Sequence, residues 1–102
     1  MNDRLLSLLG LCRRAGKMVL GCDPVREAVK EGKAYVVLAA ADLSANTLKK
    51  VTAACEESDV KILTLQRSKD EVSFSLGKVC GVVAIIDEGF AKKFSELAQN
   101  DM

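Results

Sequence analysis

Four cysteines, scattered carboxylates and hydroxyls, and no histidine are the chemical resources of this 102-residue chain. The missing imidazole removes the commonest general base, the commonest metal ligand and every Ser-His or Cys-His pair. Asp42, Ser68 and Asp87 each follow an expected strand, where α/β enzymes place their catalytic groups. None has an activating partner, and each is equally a turn or helix-capping residue, so no catalytic role is expected. Cys12, Cys22, Cys55 and Cys80 lie 10, 33 and 25 positions apart, without a C-x-x-C pair; neither a metal nor a cofactor is expected. Cys12 and Cys55 fall on inner helical faces as small hydrophobes, whereas Cys22, beside a helix start, is the one with a reason to be reactive. The stretch Gly77-Lys78-Val79-Cys80-Gly81 evokes a phosphate loop, but it lacks the spacing and precedes a strand instead of a helix.

The segment with a reason to bind a ligand is residues 17–30. A turn at Gly21 feeds a helix whose first N–H groups and positive dipole end can receive a phosphate, and Arg13, Arg14, Lys17 and Lys33 border it in sequence. The plainer alternative is that Gly21-Cys22-Asp23-Pro24 starts a helix and nothing more, with Asp23 as N-cap, worth about 1 kcal/mol, and Pro24 at the first helical position. Spacing alone favours the plainer alternative, since an Asp there also competes with phosphate.

The elements that must position these residues alternate along the chain. Leu5, Leu8, Leu9 and Cys12 repeat with helical spacing over residues 3–14, and Ala15-Gly16 ends that helix. A short strand over 17–20 follows, then a helix from Asp23-Pro24 to Gly32 with Val25, Ala28 and Val29 inward. Residues 35–41 form a continuous apolar run, the mark of a strand covered on both faces. Asp42-Leu43-Ser44 makes a turn, and Leu48, Val51, Thr52 and Cys55 give a third helix, broken at Ser58-Asp59. Residues 60–65 are the third strand. Ser68 and Glu71 make a capping box that opens a helix through about Lys78, residues 82–86 the fourth strand, and Phe90, Phe94 and Leu97 the inner face of a last helix from Glu88. Residues 99–102 are expected to fray. This alternation predicts an α/β fold, a three-layer α/β/α sandwich around a mostly buried four-stranded sheet, with residues 1–102 as one domain.

Composition narrows the function classes. Apolar residues make up 49% and charged residues 28%, enough for a true core. Aromatics are 4% with no Trp, which excludes a sheet face paved with stacked rings. The net charge of +1 neither demands nor forbids a nucleic acid, but residues 1–51 carry nine basic against five acidic groups and residues 52–102 six against nine, so the basic side chains lead the chain. No apolar run approaches the roughly 20 residues that span a bilayer. A cytoplasmic protein with reduced thiols and no membrane partner is expected.

The blocks Leu8-Leu9-Gly10-Leu11-Cys12-Arg13-Arg14-Ala15-Gly16-Lys17, Gly21, Asp42 to Lys50, Leu76-Gly77-Lys78 and Asp87-Glu88-Gly89-Phe90-Ala91, in that order over nearly the whole chain, resemble the bacterial branch of the ribosomal-protein L-seven-Ae family. The resemblance implies an α/β/α sandwich that binds kink-turn RNA, a duplex bent sharply at a bulge beside sheared G·A pairs, without catalysis and commonly in ribosomes or other ribonucleoproteins. It implies RNA contacts at the turn and first turns of the second helix, and at the loop before the last strand, here Lys17, Gly21, Cys22, Asp23, Pro24, Arg26, Glu27, Lys30, Val79 and Cys80. Asp23 stands where the family has Asn, Pro24 where it has Glu and Glu27 where it has Lys. Structured RNA, with the ribosome as its setting, is the implied partner; a protein-interaction module on the same fold is the alternative.

Overall fold

The structure, a computed structural model, describes residues 3–100. Nine elements follow one another: α1 (Arg4–Arg14), β1 (Met18–Leu20), α2 (Cys22–Lys30), β2 (Val36–Ala39), α3 (Ala45–Glu57), β3 (Lys61–Thr64), α4 (Lys69–Leu76), β4 (Val82–Ile85) and α5 (Glu88–Asn100). The sheet order is β1-β4-β2-β3, with β4 antiparallel to both of its neighbours and β2 parallel to β3.

The period-2 geometry of the strands splits the core in two. Val36 and Leu38 of β2, with Val83 and Ile85 of β4, face Leu5, Leu9 and Cys12 of α1, Val72 and Leu76 of α4 and Phe94 of α5. Val37, Val82 and Ala84 face Val25 and Val29 of α2 and Val51, Ala54 and Cys55 of α3. The sandwich anticipated from the alternating pattern is therefore present, with three helices on one face and two on the other.

Burial on both faces holds for β2 and β4, all of whose residues are buried. It fails at the edges, where β3 exposes Lys61 and Thr64 and β1 leaves Val19 and Leu20 half-buried, because an edge strand has a neighbour on one side only. Two helix boundaries also move. The α2 helix starts at Cys22, ahead of Asp23, and α4 stops at Leu76, two residues short of Lys78, because Gly77 adopts a left-handed conformation (φ 72°) and donates its N–H to the Ser73 carbonyl. The capping box of Ser68 and Glu71 is present as expected. Residues 99 and 100, assigned to a frayed end, are helical in α5, and residues 101 and 102 lie outside the described part.

The start of α1 is tied to the rest of the fold. Asp3 accepts from the Leu6 N–H at 3.1 Å and pairs with Arg67 at 2.6 Å. The hydrogen bond from Arg67, foremost, and the one from Leu6 hold the Asp3 carboxyl below the usual carboxylate range, against the opposing effect of burial. A carboxylate whose pKa is depressed on folding adds stability above its unfolded pKa and loses it as pH falls through the folded one. Asp3→Asn should thus lower stability at pH 7 by about 1–2 kcal/mol. The gap should shrink once the pH drops below about 4. Urea unfolding of both proteins across that range checks this; a gap that does not change with pH would contradict it.

Candidate nucleic-acid interface

Gly21 links β1 to α2 with φ 101° and ψ 153°, a region that side-chain-bearing residues essentially do not enter. Its N–H donates to the Val82 carbonyl at 3.1 Å, and its own carbonyl accepts the first bond of the helix, from Val25 N–H at 2.9 Å. Gly21, not Asp23, is the N-cap, and no side chain caps the helix. Of the four donors that a helix start leaves over, that of Gly21 is spent on Val82 and Pro24 has none. The N–H groups of Cys22 and Asp23 remain, unpaired among the described residues. Pro24 at the third helical position sacrifices no hydrogen bond there.

Opposite this helix start lies the loop of residues 77–81. Ser73, inside α4, fixes it: its hydroxyl accepts from Cys80 N–H at 2.9 Å and donates to the Cys80 carbonyl at 3.2 Å. Cys80 turns inward and donates its thiol to the Val82 carbonyl, while Val79 stands 78% exposed. Between the two segments runs a groove of about 350 Å³ lined by Gly21, Cys22, Val79, Cys80 and Gly81, with Asp42 to Ser44, Thr47 and Lys69 on its remaining side. The antiparallel pairing of β4 with β1 and β2 brings these parts together.

The structure joins some of the sequence candidates and separates others. Gly21, Cys22, Val79 and Cys80 share the groove, and Asp23 and Pro24 are exposed on the helix turn beside it. Arg26 sits one turn along, its guanidinium 3.6 Å from the Asp23 carboxylate, and its Nε is buried without a partner. Glu27 is exposed on the same helix. Lys17 and Lys30 lie at the far end of the sheet, a correction to their grouping with Gly21. The Lys17 carbonyl accepts from Ile86 N–H, whereas Gly21 pairs with Val82, and the four residue steps along β1 separate those positions by about 13 Å. Lys30 closes α2, about 12 Å along the helix from Cys22.

Lys69 is the cation that sequence reading missed. Its stem lies against Gly81, where an added Cβ would meet Lys69 Cγ at 3.3 Å, and its ammonium makes no salt bridge among the described residues. As the first residue of a helix after a capping Ser, it gave no sign of reaching the groove. Asp42, also in the lining, accepts from the Lys69 N–H at 2.6 Å, so that carboxylate is engaged.

Asp42, Ser68 and Asp87 do not converge. The β4 strand runs opposite to β2 and β3, so Asp87 lies at the other end of the sheet. Asp87 accepts from Phe90 N–H at 2.9 Å, and Ser68 accepts from Glu71 N–H at 3.1 Å, which makes all three anchors of backbone N–H groups. Burial, and secondarily the negative charge of Asp87, push the Cys12 thiol up to about 11, and burial raises that of Cys55. These two thiols are packing groups at neutral pH. Among the described residues no cluster of His, Cys, Asp and Glu has the makings of a metal site, and no helix is long and apolar enough to cross a membrane.

Residues 3–95 match the ribosomal protein L7Ae/L30e/S12e/Gadd45 family. The chain belongs to this family. Within the L7Ae family it is 41% identical to the RNA-binding protein YlxQ of Bacillus subtilis over 91 residues, 88% of this chain and 90% of that one. It is 36% identical to YlxQ of Enterococcus faecium over 98 residues, 96% of this chain and 94% of the other. The same L7Ae-family fold recurs in a Bacillus halodurans protein of unknown function, with a TM-score of 0.89 at 27% identity over 96% of this chain and 99% of that chain. It recurs too in a Giardia lamblia 15.5kD RNA binding protein, with a TM-score of 0.73 at 22% identity over 99% of this chain and 90% of that chain.

Proposed function

We propose that this L7Ae-family chain is a non-catalytic RNA-binding protein whose groove between the start of α2 and the loop 77–81 holds a sharply bent RNA of kink-turn type, as part of a ribosome or another cytoplasmic ribonucleoprotein. The observation that carries the reading is the meeting of the unpaired Cys22 N–H, with that of Asp23 beside it, and an exposed Val79 across one groove, in a chain whose relatives are named RNA-binding proteins. The two N–H groups suit acceptors on a phosphate or a base edge. The Asp23 carboxylate, 91% exposed, suits the N1–H and N2–H2 donors of guanine. Val79 and the wall at Cys80 suit an unstacked base that has left the duplex. Arg26 and Lys69 supply the positive charge next to the groove, a part for which Lys17 and Lys30 stand too far away. Pro24 offers the RNA no polar side-chain group, and Glu27 presents acceptors to the acceptor atoms of guanine. Recognition therefore shifts from α2 side chains toward backbone donors and shape.

Binding to a kink-turn RNA and to a straight duplex of equal length, measured across salt, tests this. The kink-turn should bind about tenfold tighter or better. With Arg26 and Lys69 on phosphates, log K against log salt should fall with a slope of about −2. Lys69→Ala should flatten that slope by about 1 and Lys17→Ala should leave it unchanged. Equal affinity for both RNAs, or no binding even at low salt, would overturn the reading.

A further inference from the structure

Phe74 is the most exposed large hydrophobic side chain of the described residues, at 90%. It projects from α4, whose Val72 and Leu76 are buried beneath it. Beside it α1 and α4 nearly touch: a Cβ on Gly10 would lie 3.3 Å from the Ser75 carbonyl oxygen. Above this contact the ring stands between two shallow depressions. One, of about 390 Å³, is lined by Gly10, Arg13, Arg14, Ser75, Leu76 and Gly77 along with Phe74 itself, and contains no carboxylate. Arg13 donates to the Leu76 carbonyl, which fixes its guanidinium over the last turn of α4. The other depression runs toward Asp3, whose charge is paired with Arg67. On α4 the acidic residues Asp70 and Glu71 occupy the first turn, and Glu71 is committed to the Ser68 N–H. The positive charge of this face comes from the last turn of α1, since α4 carries no basic residue in its own last turn, and it sits where Leu76 leads through Gly77 and Lys78 into the loop of the groove.

From this continuity we infer a second RNA contact on the α1/α4 face: an unpaired strand leaving the groove stacks one base on the Phe74 ring and sets its phosphates against Arg13 and Arg14. A single ring flanked by guanidinium groups fits a nucleotide, because the face of any base can stack on it and its phosphate needs the neighbouring charge. The inference rests on the groove reading for where the strand comes from, and its test is built to fail separately.

The experiment compares a blunt-ended kink-turn RNA with the same RNA carrying a six-nucleotide unpaired extension at either end, against wild type, Phe74→Ala, Phe74→Trp and Arg14→Ala. One extension should tighten wild-type binding about five- to hundredfold. Phe74→Ala should erase that gain while leaving the blunt RNA unaffected, Phe74→Trp should keep it, and Arg14→Ala should reduce it and its salt dependence. No gain from either extension, or a gain that survives Phe74→Ala, overturns the inference and leaves the groove reading standing. A short single-stranded oligoadenylate, titrated while the amide signals of Gly10, Ser75 and Gly77 are followed by NMR, decides the matter if neither kink-turn RNA binds. Shifts there that Phe74→Ala removes would support the stacking surface alone, and none would overturn it. A concentration-dependent dimer that Phe74→Ala dissociates would show that the ring meets a second copy of the chain, which also overturns it.

Discussion

Replacing Phe94 with Ala is expected to cost about 3–5 kcal/mol of folding stability. Phe94 has no exposed surface and is the largest fully buried side chain of the described residues. It joins α5 to the layer formed with α1 and α4, so truncation removes an aromatic ring from a close-packed core and leaves a cavity that three helices cannot all collapse into. In a domain whose stability is about 5–15 kcal/mol, that is a large share. The denaturation midpoint in urea should fall while its slope stays the same. Phe94 lies on the side of the sheet away from α2, so the molecules that remain folded should bind RNA with wild-type affinity. A loss below about 1 kcal/mol would contradict the packing described. So would a binding defect larger than the unfolded fraction explains.

Gly21→Ala should have the opposite profile, with a modest loss of stability and a severe loss of binding. A Cβ at Gly21 has room, its nearest neighbour being Pro24 Cδ at 3.6 Å. The difficulty is the backbone: at φ 101° and ψ 153° any side chain is strained by about 1–3 kcal/mol. Relief requires rotating the two peptides that meet at Gly21, one donating to Val82 and the other accepting the first bond of α2, and the second of them carries the Cys22 N–H away from the groove. A hydrogen bond to a charged acceptor contributes about 1.5–3 kcal/mol, so losing the one from Cys22 should lower RNA affinity about tenfold to a hundredfold. Thermal melts and titrations on the same sample separate the two effects. Unchanged affinity in a folded Gly21→Ala protein would mean that the start of α2 does not touch the RNA.

The contrast between these two variants reflects what local sequence encodes. The apolar runs over 35–41 and 82–86 mark strands buried on both faces, which β2 and β4 are, and Ser68 with Glu71 marks the start of α4, because strand burial and helix capping are written in neighbouring residues. The start of α2 misled for a specific reason. Asp23 followed by Pro24 has the chemistry of an N-cap and first residue, yet Gly21, held by its hydrogen bond to Val82, accepts the first helical bond from Val25 and so caps the helix two residues earlier. That partner lies about sixty positions away in the chain, and no local pattern reveals it. The same holds for the groove. Gly21, Lys69 and Val79 meet because β4 inserts between β1 and β2, while Lys17 and Lys30, neighbours of Gly21 in sequence, are carried off by the lengths of β1 and α2. Phe74 escaped notice because a lone aromatic on a short helix reads as core until its exposure is known.

Cys22 offers the most direct test of where RNA sits. Cys12, Cys55 and Cys80 are buried, whereas Cys22 is half-buried in the groove wall, so iodoacetamide should reach Cys22 first in the native protein. Saturating kink-turn RNA should slow its alkylation toward the rate of the buried thiols, as followed by mass spectrometry of the Cys22 peptide. Alkylation at an undiminished rate, under conditions where the RNA is demonstrably bound, would place the interface elsewhere on the molecule.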